Sequence, residues 1–234
     1  MSSSPVDLRV DWCSYQAAKY AVEHWHYSRT MPVSKRVYIG AWENRVFIGA
    51  IVFALGATPT LGSKYNLTMW ECCELVRVAL NAHASPVSQI VTKAIKLLKS
   101  QSDGLRLIVS FADPFHGHNG SIYQAMNWIY TGQTTTVDTW TVNGKLIHRR
   151  AYTGVNYGAP KQKLPQNAKR VTVPAKHRYL YPLDRAMRKQ IAPLAQPYPK
   201  RDTRPVNGDT LATSEAGRFN SEPGALIEAE PHGD

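Results

Sequence analysis

Cysteines and long apolar runs are the features that this sequence most clearly lacks. Its 234 residues include three cysteines, too few for a disulfide framework, and this usage is typical of a reducing compartment. Cys72 and Cys73 are adjacent, whereas structural zinc sites separate their thiolates by about two to four residues, so we expect them in the core. No run of about 18 apolar residues occurs, so we expect no membrane-spanning helix. The N-terminal residues contain no apolar signal core, and we expect a cytoplasmic protein.

Acidic residues are scarce between residues 161 and 204. This segment has 12 Lys and Arg against 2 Asp and Glu, a net charge of +10, whereas residues 1–160 have a net charge of +6 and residues 205–234 one of −5. Such a concentration of positive charge favours a polyanionic partner such as nucleic acid. A basic segment without a partner is the alternative. From residue 193 onward proline, glycine and charged residues dominate, which predicts a disordered tail.

The hydrophobic periodicity predicts an α/β chain. The strands are predicted at 6–12, 37–42, 46–55, 70–80, 105–112, 134–142 and 145–152. The helices are predicted after Ser14, from Ser85 and Pro86, and over 121–129. Asn143-Gly144 lies between the last two strands and is the strongest hairpin signal in the chain.

This order of elements resembles the GNAT acyltransferase fold, a mixed central sheet with flanking helices. The resemblance implies that two neighbouring strands splay apart and that donor and acceptor meet in the gap. Asn119 is followed four residues later by Tyr123, as in the GNAT pattern, although Asn127-Trp128 stands where that pattern has a Gly-Phe-like ending. We therefore expect a GNAT-like catalytic domain at 6–158, a basic nucleic-acid-binding extension at 159–192, and a disordered tail at 193–234.

Five short segments together carry a more specific resemblance: His24–Arg29, Glu74–Val78, Ser110–Pro114, Gly117–Ser121 and Arg178–Pro182. With these segments the chain resembles the Mom family of phage DNA-modification proteins between about Asp11 and Tyr181. The resemblance implies an enzyme of the host cytoplasm that converts adenine in double-stranded DNA to its N6-carbamoylmethyl form, which protects phage DNA from host restriction.

The glycine-rich loop with which GNAT enzymes bind coenzyme A is missing. In that fold, a Gln/Arg-x-x-Gly-x-Gly/Ala loop holds the pyrophosphate at the start of the second helix, whereas residues 80–86 contain no glycine. Acetyl-CoA is therefore one candidate donor, and glycyl-tRNA is the other and slightly favoured one. N6-glycyladenine and N6-carbamoylmethyladenine are isomers, so glycyl transfer followed by rearrangement would give the product. In that case tRNA would be a second nucleic-acid partner.

A reaction centre is predicted between residues 110 and 128. The exocyclic amine of adenine is a weak nucleophile, so the site must hold it near the electrophile and take up a proton. Asp113 is the first candidate for the base or orienting group, with a turn-forming role as the alternative. Ser110 could bind substrate or be a buried strand serine, and the resemblance implies that Tyr123 protonates the leaving group unless it only packs. His26 and Tyr27 lie in the segment His24–Arg29, which carries the family resemblance, and they are further catalytic candidates.

Two H-x-H pairs, His24/His26 and His116/His118, invite a metal hypothesis. On an extended backbone such a pair directs both rings to one side, and Asp113 would complete the site. The resemblance suggests iron as the metal. Polar or phosphate-contacting histidines near the mouth of the site are the alternative.

Cations and aromatic residues are the candidate contacts for DNA. They would neutralise phosphates and stack on an extruded base, since N6 chemistry in a duplex requires the adenine to be flipped out. Arg77 alternates with two valines on its strand and is predicted to hold a phosphate or carboxylate in the gap. The substrate-binding candidates are Arg77, His116, His118, Asn119, Lys169, Arg170, Arg178 and Tyr179.

Two other functions fit parts of the sequence. An acetyl-CoA-dependent N-acetyltransferase acting on a small molecule or a protein would use the same fold, but the missing glycine loop argues against it. A non-enzymatic nucleic-acid-binding protein would explain the positive charge, but it would leave the polar cluster between residues 113 and 123 without a role.

Overall fold

Two β-sheets and four α-helices organise the described part of the chain. The structure is a computed structural model, and it describes residues 6–56, 60–147 and 163–200. The strands are β1 (Leu8–Trp12), β2 (Arg36–Glu43), β3 (Val46–Ala54), β4 (Cys72–Leu80), β5 (Leu107–Ala112), β6 (Ile129–Gln133), β7 (Val137–Val142), β8 (Lys145–Ile147), β9 (Lys169–Val173) and β10 (His177–Pro182). The α-helices are α1 (Tyr15–Trp25), α2 (Val87–Ser100), α3 (Ser121–Ala125) and α4 (Arg185–Ile191), and short 3-10 helices lie at Ser63–Tyr65, Pro114–His116 and Ala192–Leu194.

The main sheet has seven strands in the order β1-β2-β3-β4-β5-β10-β6. All neighbours are antiparallel except β4 and β5, which run parallel. These two strands pair only over Cys72–Glu74 and Leu107–Val109, and both continue beyond the last pair, so a gap opens between them. The predicted fold class, a mixed GNAT-like sheet with splayed strands and flanking helices, is confirmed.

A β-bulge lies on β4 at the start of this gap. Arg77 faces Val52 and Leu75 faces Phe53 on β3, so Val76 is an extra residue on β4. A bulge bends its strand and redirects the neighbouring side chains. The bulge therefore contributes to the divergence of β4 from β5.

The C-terminal half of the sheet differs from the sequence prediction. The helix predicted over 121–129 ends at Ala125, because Asn127 adopts a left-handed conformation with φ +56°, and β6 begins at Ile129. The hairpin around Asn143-Gly144 is confirmed, but its strands β7 and β8 form a separate three-stranded sheet with β9. Strand β10, from the predicted basic extension, lies between β5 and β6 and completes the main sheet.

The helices cover the sheet with the faces that their periodicity predicts. Ser14 caps α1, since the Ala17 backbone N–H donates to Ser14 Oγ at 3.2 Å. The prediction that Ser85 caps α2 is wrong, since Pro86 is the N-cap residue and α2 begins at Val87. The Ser85 backbone N–H donates to a glutamate on β2. The buried residues of α2 are Ile90, Val91, Ala94, Ile95 and Leu98.

Cys72 and Cys73 are buried in the core, as expected, and neither forms a disulfide. Within the described residues, no helix is long and apolar enough to cross a membrane. The predicted tail begins with residues that contact the core, since the Tyr198 hydroxyl donates to Trp128 O at 2.8 Å. Residues 201–234 of that tail lie outside the described residues.

Candidate active site

A cleft of about 290 Å³ opens where β4 and β5 diverge. Its walls come from the two splayed strands, from the loop after α1, and from the segments next to β6 and β10. A cleft at this position is where the fold predicts that donor and acceptor meet. The residues that line it are Tyr27, Glu74, Leu75, Val76, Arg77, Phe111, Thr134 and Lys176.

Asp113 lies beside this cleft, directly after β5, in an ion pair with Lys176. The distance between Lys176 Nζ and Asp113 Oδ2 is 2.7 Å, and the Asp113 side chain is only 8% exposed. Asp113 Oδ1 accepts the Phe115 backbone N–H at 3.1 Å and so also caps the 3-10 turn that follows. Lys176 is fixed by Thr134, because two hydrogen bonds of 2.9 Å join the two residues. Asp113 therefore stabilises a turn and also pairs with Lys176, which lines the cleft.

Tyr27 is surrounded by imidazole rings. Its ring centroid lies 4.2 Å from that of His26, 4.4 Å from that of His116 and 5.1 Å from that of His118. Burial raises the pKa of the Tyr27 hydroxyl above its usual value, although the positive charge of Lys176 opposes this shift. The ring itself is about half exposed at the cleft. The structure thus brings four predicted site residues together in one aromatic cluster.

His26 is a neutral, buried member of this cluster. Burial, followed by the charge of Arg77, lowers the pKa of His26 from 6.5 to about 3. The Ser28 backbone N–H donates to His26 Nδ1 at 3.1 Å, so the ring proton lies on Nε2. Burial and the neighbouring His116 also lower the pKa of His118. Neutral imidazoles suit an aromatic contact surface better than a phosphate-binding one.

The metal hypothesis for His24 and His26 rests on an extended backbone, and this premise is wrong. His24 lies in the last turn of α1 and His26 is its C-cap. The exposed His24 ring stacks on Tyr20 at 4.1 Å, and its Nδ1 lies 2.8 Å from the Tyr20 carbonyl oxygen. The two rings therefore have different neighbours and do not fit a shared iron ion. Among the described residues, no group of three His, Cys, Asp or Glu side chains could hold a metal ion.

Ser110 connects the two splayed strands at the base of the gap. Its hydroxyl donates to the Leu75 carbonyl oxygen on β4 at 2.8 Å and is hydrogen-bonded to the Tyr123 hydroxyl at 2.7 Å. Burial raises the pKa of Tyr123 to about 12, against the opposing effect of the Ser110 hydrogen bond. Tyr123 is thus a neutral phenol behind Ser110. Ser110 is thus a buried strand serine and Tyr123 a packing residue, which were the alternatives to their catalytic roles. Both residues adjoin the gap.

Arg77 lines the cleft, as predicted, but its guanidinium also holds neighbouring backbone. Nε and Nη2 donate to the Thr30 carbonyl oxygen at 3.1 and 3.0 Å, and Nη1 donates to the Val76 carbonyl oxygen at 2.7 Å. These bonds tie the loop after α1 to β4. Arg77 consequently positions the segment that carries His26 and Tyr27.

Two predicted substrate contacts, Tyr179 and Asn119, have structural roles. Tyr179 on β10 is fully buried, and its hydroxyl donates to the Asn119 carbonyl oxygen at 2.5 Å. The prediction that Tyr179 stacks on a base is therefore wrong, because its ring packs against Tyr123 in the core. The Asn119 side chain accepts the Ser121 backbone N–H at 3.2 Å, which positions the start of α3.

Three other predicted DNA contacts of the basic segment, Lys169, Arg170 and Arg178, are not among the residues that line the cleft. Arg178 donates from Nε and Nη2 to Thr131 on β6, at 2.9 Å in each case. Lys169 and Arg170 are exposed on β9 of the second sheet, where Arg170 pairs with Asp138 at 2.6 Å. Their contact with DNA phosphates stays a prediction.

Lys176 and Glu74 also line the cleft, and the pairing of Lys176 with Asp113 was not predicted from the sequence. Lys176 is separated from Asp113 by much of the chain, and only the pairing of β10 with β5 and β6 joins them. The signal in the sequence was the high cation content of the segment, which indicates phosphate contacts as readily as an ion pair. Glu74 lies where β4 leaves β5.

The gap between two splayed strands, with a polar cleft at its mouth, places this protein in the class of GNAT-like α/β proteins. Within that class the chain belongs to the Mom protein family, whose model matches residues 7–200. It is 24% identical over 204 residues to the methylcarbamoylase Mom of Escherichia phage Mu, and the match covers 83% of this chain and 84% of that protein.

Solved structures of acyl-transferring proteins are similar at low identity. FeeM, an N-acyl amino acid synthase from uncultured soil microbes, is 13% identical with a TM-score of 0.45, and the match covers 82% of this chain and 99% of FeeM. An N-acetyltransferase from Staphylococcus aureus Mu50 is 14% identical with a TM-score of 0.41, with 77% and 100% of the two chains covered.

Proposed function

We propose that this protein is a transferase that modifies adenine in double-stranded DNA to N6-carbamoylmethyladenine and thereby protects phage DNA from host restriction. Membership of the Mom family supports DNA modification, and the relative from phage Mu is a methylcarbamoylase by name. The observation that carries the proposal is the Asp113–Lys176 pair beside the cleft. A carboxylate at this position can accept a hydrogen bond from an exocyclic amine.

The aromatic cluster supports entry of a flipped adenine. Tyr27 is half exposed and borders the cleft, so the exposed part of its ring can contact an extruded base. Flipping costs a few kcal/mol, which stacking and phosphate contacts would offset. The N6 amine would then donate to the Asp113 carboxylate, which orients the amine lone pair toward the donor.

Glycyl-tRNA is the donor that we favour. In the first step N6 forms a bond to the glycyl carbonyl carbon, the ester C–O bond breaks, and the proton from N6 ends on the tRNA hydroxyl. In the second step the free glycyl amine attacks C6, and the bond between C6 and the amide nitrogen breaks. The amide nitrogen takes up the proton that the attacking amine loses. The product carries a carbamoylmethyl group on N6, with no oxidant and no further reactant.

Ser110 and Tyr123 would act at the base of the gap. Ser110 is fixed by Leu75 and Tyr123, so its hydroxyl has one orientation next to the diverging strands. Since its one proton is donated to Leu75 on β4, Ser110 would hold the two strands at the base of the gap in the geometry that the transfer needs. Tyr123 would position Ser110, and its high pKa keeps it as a neutral hydrogen-bond partner.

The test is a purified reaction with duplex DNA and tRNA charged with isotopically labelled glycine. The proposal predicts labelled N6-carbamoylmethyladenine after digestion to nucleosides, and no product when the tRNA is first destroyed by ribonuclease. A parallel reaction contains acetyl-CoA and a nitrogen source without RNA. Product in that reaction would refute the tRNA donor, and unmodified adenine with every donor would refute the DNA-modifying function.

A further inference from the structure

A buried glutamate from β2 is hydrogen-bonded to the loop that precedes α2. Glu43 lies at the end of β2, between β1 and β3, and is only 9% exposed. Its Oε2 accepts the Ala84 backbone N–H at 2.8 Å and its Oε1 accepts the Ser85 backbone N–H at 2.6 Å. One carboxylate thus satisfies two consecutive amides of this loop.

These amides belong to the part of the fold that usually receives an anionic ligand. Backbone N–H groups before a helix, together with the positive end of the helix dipole, form an anion-binding site. In this chain the anion is covalently part of the protein. Ser85 is itself buried, and it also forms a side-chain hydrogen bond with Glu43.

The hydrogen bonds of the loop stabilise the ionised form of the Glu43 carboxyl group. Although burial alone raises the pKa of Glu43, the hydrogen bonds from Ala84 and Ser85 outweigh it and the pKa lies below its usual value. The carboxylate is therefore ionised at neutral pH. A pyrophosphate brought to the same amides would have to displace this carboxylate or lie against its negative charge.

We infer that Glu43 closes the loop before α2 to the pyrophosphate of coenzyme A, and that it is the residue that excludes coenzyme A esters as donors. This inference deepens the proposed function and rests on it in one respect: coenzyme A esters are excluded donors only if the protein carries out the proposed transfer. The geometry of the loop stands independently of the reaction. A donor that reaches the gap along another surface, such as an aminoacylated RNA, is compatible with this closed loop.

Backbone amide resonances provide the test, because Ala84 and Ser85 report directly on the loop. Acetyl-CoA is added to the full-length wild-type protein up to about 1 mM, the upper end of typical KM values. The inference predicts that the Ala84 and Ser85 resonances do not shift. A saturable shift of these two amides with acetyl-CoA would overturn it.

Two further measurements examine the role of Glu43 itself. In Glu43→Gln both amides should shift strongly because they lose a charged acceptor, whereas Glu23→Gln, a change at a partly exposed residue of α1, should leave them in place. Should Glu43→Gln not fold, a pH titration of the wild-type amides replaces it. Ala84 and Ser85 should then titrate together with a midpoint below that of an ordinary glutamate, and the absence of any such titration would refute the pairing.

The outcomes separate this inference from the proposed function. Adenine modification with acetyl-CoA in the absence of RNA, accompanied by shifts at Ala84 and Ser85, would refute the closed loop and leave DNA modification intact. Unmodified DNA with every donor, together with unshifted amides, would refute the function and leave the closed loop intact.

Discussion

The Lys176 ammonium group lies 2.7 Å from the Asp113 carboxylate, and the two side chains differ sharply in exposure, at 44% and 8%. Removal of the cation would leave a buried carboxylate without its partner. We expect Lys176→Met to lower the free energy of unfolding by about 1–3 kcal/mol, less than for a fully buried pair because Lys176 is partly solvated. We also expect DNA modification to fall at least about tenfold, which corresponds to about 1.4 kcal/mol of lost transition-state stabilisation.

Urea unfolding and the rate of adenine modification measure these two effects. Lys64→Met is the matched control, since Lys64 is exposed in the 3-10 helix at Ser63–Tyr65, and it should change stability by less than about 0.5 kcal/mol. A Lys176→Met protein with the stability and activity of the wild type would show that the ion pair has no role.

The hydrogen bond between Tyr123 and Ser110 predicts a non-additive pair of substitutions. Tyr123→Phe removes one partner of a buried serine and should cost about 1 kcal/mol of stability. Because Ser110 is then less well positioned, kcat should fall while the KM for DNA is unchanged. Adding Tyr123→Phe to Ser110→Ala should reduce kcat no further. Independent, multiplicative losses in the double variant would instead indicate that Tyr123 touches the reacting atoms itself.

His26 predicts how stability depends on pH. Its pKa is about 3 in the folded protein against 6.5 for an ordinary histidine, so below pH 6.5 the unfolded chain binds a proton that the folded chain does not. Its contribution is therefore complete above pH 6.5 and is lost as the pH falls toward 3. Between pH 7 and pH 5, the wild type should lose about 2 kcal/mol more than His26→Asn.

Urea unfolding at the two pH values measures this difference. His24→Asn is the control, because His24 is exposed at the end of α1, and it should behave as the wild type does. Equal losses for the wild type and His26→Asn would contradict a buried neutral His26.

Alanine substitutions at Gly120 and Gly117 should lower stability by different amounts, and the difference separates steric overlap from backbone strain. Both glycines have positive φ, +82° and +72°, but a Cβ at Gly120 would collide with the Tyr179 ring whereas one at Gly117 would meet open space. Gly117→Ala should cost about 1 kcal/mol from backbone strain alone. Gly120→Ala should cost about 2–4 kcal/mol because overpacking against Tyr179 adds to the strain. Equal thermal stability of the two variants would show that α3 does not pack on β10 as described.

Local patterns in the sequence were sufficient to predict most of the first five strands and the two long helices. The α2 helix has apolar residues at helical spacing, and the β2–β3 hairpin alternates around a short turn. Such signals depend only on residues that are close in the sequence, so they can be recognised without knowledge of the tertiary contacts. The short helix α3 was overextended because Asn127 ends it through a backbone conformation that periodicity does not reveal.

Pairing between distant segments could not be predicted. Strand β10 enters the main sheet between β5 and β6, and no local feature of its sequence indicates these partners. Its mixture of cations and aromatic residues indicated a nucleic-acid contact, yet Tyr179 and Leu180 are fully buried. The same topology brings Lys176 to Asp113, so the carboxylate was predicted from its motif but its partner was not.

Mass spectrometry of nucleosides from the DNA of cells that express the protein shows whether the protein modifies adenine and whether it needs Asp113. Asp113→Asn is the matched variant, since it keeps the shape of the side chain and can still accept the Phe115 N–H. We predict an adenine nucleoside heavier by one carbamoylmethyl group with the wild type, and little or none with Asp113→Asn expressed at the same soluble level. An unmodified adenine pool with folded wild-type protein, or equal modification by Asp113→Asn, would contradict it.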